Sequence, residues 1–88
     1  MTNSPREEGE IFGPHLRALR IARGLTQAQL ADRADTNTMF ISKLERGVTT
    51  PTIGTLVRLA KALNCRVTKL VDCFDPRPAA ARPASRRS

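Results

Sequence analysis

The chain has 88 residues, a formal net charge of +7 from 15 Lys and Arg against 8 Asp and Glu, and only 3% aromatic residues. That length holds one domain, and Cys65 and Cys73 with the single His15 exclude a four-ligand zinc site of the usual spacing. No apolar run approaches the roughly 20 residues that cross a bilayer, and residues 1–10 lack the apolar stretch of a signal peptide, so a cytoplasmic location is expected.

So small a domain buries only about 60% of the surface its unfolded chain exposes, which makes pairing with a second copy a source of stability. The positive balance predicts attraction to a polyanion, because neutralised phosphates release condensed counterions. The two cysteines are expected to stay reduced and to act as small apolar residues.

Residues 1–10 are polar, contain proline and glycine, and are expected to be disordered. Helical periodicity begins with Phe12, Leu16 and Leu19 at i, i+4 and i+7. Gly13 and Pro14 fall near the start of that stripe, where a missing N–H costs little, and Gly24 is placed to end it. His15, beside Leu16, reads as a surface residue. The second helix has the clearest start in the chain. Thr26 and Gln29 have the spacing of a capping box, and Leu25 and Leu30 that of a hydrophobic staple.

Asp35 and Thr36 then make a short turn, and Asn37 is a good N-cap for a third helix that Gly47 ends. After Val48, Thr49, Thr50 and Pro51, Thr52 caps a fourth helix with Leu56, Leu59, Ala60 and Leu63 on one face and Asn64 as a left-handed end. A fifth, shorter stripe runs through Val67, Leu70, Val71 and Phe74. The expected fold is an all-α bundle of five helices over residues 11–74. Residues 75–88, rich in Pro, Ala and Arg, read as a flexible basic tail.

A helix, tight turn and helix over residues 27–46 is the arrangement that lays its second helix in a major groove. At roughly 100° per residue from Thr38, Phe40, Ile41 and Leu44 fall between about 200° and 300°. Thr38, Ser42, Arg46, Met39 and Lys43 cover the arc from about 0° to 140°. The first arc is apolar and must face the core. The second is polar or positive and carries no carboxylate, which suits a groove walled by phosphates.

The segments LRALR, RGLTQAQLA, ISKLERG and, after Pro51, TLVRLAKAL occur in an order and spacing that resembles the Cro/repressor (XRE-type) helix-turn-helix regulators, over residues 12–72. The resemblance implies a lambda-repressor-like domain in which the second and third helices form the helix-turn-helix. It implies that Gln27 bonds a phosphate and that Thr38, Met39 and Lys43 face base edges. Lysine donates to guanine O6 or N7, threonine bonds several edges, and methionine offers apolar contact to a thymine methyl. Ser42 and Arg46, nearer the groove wall, are assigned to phosphates, as are Asn37, Thr49 and Thr50.

The resemblance also implies a structural ion pair between Arg20 and Glu45. Phe40, Ile41, Leu44, Leu56 and Leu63 read as core. Three positions depart from the family pattern. Asp35 stands where the turn usually has glycine, Thr36 where an apolar residue anchors it, and Arg66 where a small polar residue precedes the fifth helix.

The leading expectation is a sequence-specific regulator that binds double-stranded DNA as a homodimer on a palindromic operator. Its pairing surface is expected at the loop after Gly47, the start of the fourth helix, or the fifth helix with Phe74. The alternative is an antitoxin-type interaction module with autoregulatory DNA binding. It is disfavoured because the tail after Phe74 has no hydrophobic segment to fold on a partner. RNA reading usually needs exposed aromatics, and only three phenylalanines exist. No catalytic set, metal cluster, cofactor motif or membrane segment is present in the sequence, so an enzyme is not expected.

Overall fold

The computed structural model describes residues 5–74, and the expected tail at 75–88 lies outside them. Five α-helices follow in order: α1 (Pro5–Ala22), α2 (Gln27–Arg33), α3 (Thr38–Arg46), α4 (Ile53–Leu63) and α5 (Val67–Val71), with a closing 3-10 turn at Asp72–Phe74. The described residues contain no strand.

Local chemistry sets most of the boundaries. The Thr26 hydroxyl accepts from the Gln29 N–H at 3.0 Å, and the Gln29 side chain accepts from the Thr26 N–H at 2.9 Å. Asn37 Oδ1 accepts from the Phe40 N–H at 2.8 Å, and Thr52 Oγ1 accepts from the Thr55 N–H at 3.1 Å. Arg66 precedes α5 with no side-chain cap bond, and that helix is only five residues long.

The ends of α1 to α4 close alike. A left-handed residue follows each helix: Gly24 (φ 71°), Asp35 (φ 59°), Gly47 (φ 79°) and Asn64 (φ 54°). The next N–H then reaches back to a carbonyl five residues earlier, from Leu25 to Arg20, Thr36 to Ala31, Val48 to Lys43 and Cys65 to Ala60. This satisfies carbonyls that a helix end otherwise leaves bare. Aspartate tolerates this conformation better than most side chains, so Asp35 keeps the turn that glycine usually makes.

The core is one cluster to which every helix contributes. Phe12, Leu16, Leu30, Ile41, Leu44, Leu59, Leu63 and Leu70 are fully buried, and Phe40 and Leu56, expected as core, pack half-buried against it. The Phe74 ring stacks on Phe12 at a centroid distance of 6.4 Å. His15 differs from its expected surface place. Its Nε2 lies 2.7 Å from the Lys69 carbonyl and 3.0 Å from Asp72 Oδ1, tying α1 to the end of the chain. Both neighbours are acceptors, so this nitrogen carries the hydrogen.

The expected disorder of residues 1–10 is corrected for residues 5–10, which are the first turns of α1. Pro14 sits inside the helix rather than at its start. Glu7 and Glu8 in the first turn favour the helix N-terminus electrostatically. Tertiary contact supplies the rest, because Gly9 and Gly13 lie against the end of α3. A Cβ at Gly9 would stand 2.5 Å from the Gly47 oxygen, and one at Gly13 would stand 2.8 Å from the Leu44 oxygen and closer still to that of Glu45.

Those are backbone atoms with little freedom to move. Gly13→Ala is therefore expected to destabilise by about 1–3 kcal/mol through overpacking, despite the better helix propensity of alanine. A thermal melt followed by circular dichroism reads it, and an unchanged or higher Tm would contradict this packing.

Candidate nucleic-acid interface

Burial divides α3 into two faces. Ile41 and Leu44 are sealed in the core, Glu45 is buried with them, and Phe40 is half-buried. Thr38, Met39, Lys43 and Arg46 are exposed and Ser42 is half-buried, with Met39 at 66% exposure although it is a large apolar residue. The Arg46 Nε donates to Ser42 Oγ at 3.2 Å, which lays the guanidinium along the exposed face. This face has donors, one apolar tip and no carboxylate. Its chemistry matches base edges flanked by phosphates.

A buried polar knot holds α3 against α1 and α2. Arg20 Nε donates to Glu45 Oε2 at 2.6 Å, and a second guanidinium nitrogen reaches Oε1 at 3.1 Å. The third nitrogen donates to the Leu25 carbonyl at 2.7 Å. Gln27 Nε2 adds a bond to Glu45 Oε1 at 3.0 Å. Glu45 thus accepts from two elements at once, and the guanidinium also fastens the loop that leads into α2. A fork of this geometry fixes orientation as well as distance.

Gln27, expected at a phosphate, is half-buried, and one of its amide hydrogens goes to Glu45 inside the fold. It retains a second amide hydrogen and a backbone N–H at the first position of α2, where helical N–H groups lack intrahelical partners. Asn37 spends its side-chain oxygen on the α3 cap, so any phosphate contact falls to its amide nitrogen. Thr49 and Thr50 line an open groove together with Arg46, Arg6 and Glu10.

The bond from Gln27 to Glu45 and the place of Arg6 in that groove go beyond what the sequence led one to expect. The four-residue spacing of Gly9 and Gly13 was the available signal, because small residues one turn apart mark a close backbone approach.

Arg33 and Arg58 are further exposed cations, and Arg58 Nε donates to the Ala34 carbonyl at the end of α2, 3.2 Å away. The exposed carboxylate of Asp35 sits in the turn before α3. Cys65 and Cys73 are unpaired thiols, and burial, with Asp72 nearby, pushes the Cys73 thiol above its ordinary range. Among the described residues no group of His, Cys, Asp and Glu is arranged to hold a metal, and no helix is long and apolar enough to cross a membrane.

A family model described as helix-turn-helix matches residues 16–70. An HTH-type transcriptional regulator of Sinorhizobium fredii is 36% identical over 73 residues, covering 83% of this chain and 95% of its own length. Control protein C.SmaI of Serratia marcescens is 39% identical over 62 residues, 70% of this chain and 74% of its own. The solved structure of the restriction-modification controller protein C.AhdI from Aeromonas hydrophila matches with a TM-score of 0.70 at 31% identity, covering 73% of this chain and 97% of that one.

Proposed function

The chain belongs to the helix-turn-helix family of DNA-binding transcriptional regulators, and we propose that it reads a palindromic duplex operator as a homodimer, with α3 of each copy in the major groove. The observation that carries this reading is the division of α3 into a buried half and a polar, partly apolar exposed half. Thr38, Met39 and Lys43 take the base edges. Gln27, Asn37, Ser42, Arg46, Thr49 and Thr50 take phosphates and set the register. Arg20 and Glu45 hold the helix at the required angle.

Support for pairing comes from apolar side chains left in solvent just after α3 and on α4. Val48 is 62% exposed, Ile53 79% and Val57 38%, and the last two share one face of α4. A second copy covering them adds burial that a domain this small needs. The likeness to the restriction-modification controller C.AhdI and to the control protein C.SmaI favours a regulatory role.

Lys43→Ala tests the base assignment. It is expected to cost about 1–3 kcal/mol at one base position and to relax preference there, leaving other positions unchanged. Fluorescence anisotropy on single-base operator variants measures it. A uniform loss on every duplex, with a flatter salt dependence, would make Lys43 a phosphate contact instead.

A further inference from the structure

We propose that the groove between the first turn of α1 and the segment after α3 receives a phosphate of the DNA backbone, with Arg6 exchanging Glu10 for that phosphate. The inference rests on the duplex-binding reading above and extends the contact surface to an element that reading does not use.

Position comes first. Arg6, Glu10, Arg46, Thr49 and Thr50 surround an open space of about 610 Å³ that continues from the exposed face of α3. The two sides of the groove are held in register by backbone contact. A Cβ on Gly47 would lie 3.0 Å from the Gly9 oxygen, and one on Gly9 would lie 2.5 Å from the Gly47 oxygen. The turn that carries Arg6 therefore sits at a fixed place beside the end of α3.

Charge comes second. Arg6 Nε lies 3.2 Å from Glu10 Oε2, and the two side chains are 86% and 57% exposed. An ion pair so open to water is weak and screened by salt, so it yields readily to a better acceptor. A phosphate offers Arg6 a two-point contact and faces a second guanidinium on Arg46. The Thr49 and Thr50 hydroxyls are further donors of the kind that commonly bond phosphate oxygens. Glu8 lines the neighbouring groove beside Phe12 and Phe74, and among the described residues Glu10 is the one carboxylate lining this one.

The pairing of Arg6 with Glu10 makes two opposite predictions. Arg6→Ala is expected to weaken binding to a selected operator and to a mixed-sequence duplex by the same factor of several-fold. It is also expected to flatten the slope of log K against log salt by about 0.9 for each protomer bound. Arg6→Lys retains most of that slope. Glu10→Gln frees Arg6 and removes the repelling carboxylate, so both duplexes should bind several-fold more tightly with unchanged base preference.

Arg6 is almost fully exposed, and an unchanged circular dichroism melt separates lost contact from lost fold. If Arg6→Ala leaves affinity and salt slope at wild-type values while Lys43→Ala still alters base preference, the phosphate site is overturned and the regulator reading stands. If the wild-type chain selects no duplex at all, that reading falls and this inference falls with it.

Discussion

Replacing Glu45 by alanine is expected to lower the unfolding free energy by about 3–5 kcal/mol, the range for removing one partner of a buried ion pair. The Glu45 side chain is 3% exposed, and its carboxylate accepts from Arg20 twice and from Gln27 once. Its loss leaves a buried guanidinium with the Leu25 carbonyl as its remaining partner. Such a charge is costly to keep out of water.

A domain of this size loses roughly 4–8 °C of Tm for each kcal/mol, so the variant should be largely unfolded at temperatures where the wild type is folded. Urea unfolding read at constant m measures the loss. A loss below about 1 kcal/mol would mean that water screens the pair, as it does for exposed ones. Replacing both partners by apolar residues of similar volume should restore much of the stability, because no bare charge then remains.

Converting Thr38, Met39 and Lys43 together to alanine is expected to collapse discrimination between operator and unrelated duplex while leaving the fold intact. All three side chains are exposed on α3, and alanine supports a helix at each position. Specific complexes of this kind exceed nonspecific ones by about 10³–10⁷ in affinity, and base contacts supply much of that margin. The residual binding should resemble wild-type binding to mixed-sequence DNA apart from the loss of the Lys43 charge, since Arg46 and the loop hydroxyls remain. Competition anisotropy with the two duplexes reads the ratio. A ratio preserved within about tenfold, against that expected margin, would remove α3 from recognition.

The helix-turn-helix and its polar face were legible because short-range chemistry decides them. Thr26, Asn37 and Thr52 each cap a helix within three residues of themselves, and the apolar spacing of Ile41 and Leu44 orients α3 without reference to distant parts. Asp35 was legible too, as the turn residue standing where glycine is usual, and it takes the left-handed conformation there.

What escaped the sequence depends on long-range contact. Residues 5–10 contain a proline and a glycine, and Pro14 follows, so local propensity argues against a helix there. Backbone packing of Gly9 and Gly13 on the end of α3 overrides it. His15 bonds to Lys69, 54 positions away, and Gln27 to Glu45, 18 away. No periodicity encodes either distance.

Selection of bound sites from a random duplex library tests the central claim most directly, since it reports base preference and symmetry together. A homodimer reading with α3 should enrich an inverted repeat whose half-sites lie about 34–36 Å apart, one helical turn, or a multiple of that. A bound pool with no shared half-site, retained by charge alone and lost as salt rises, would contradict it.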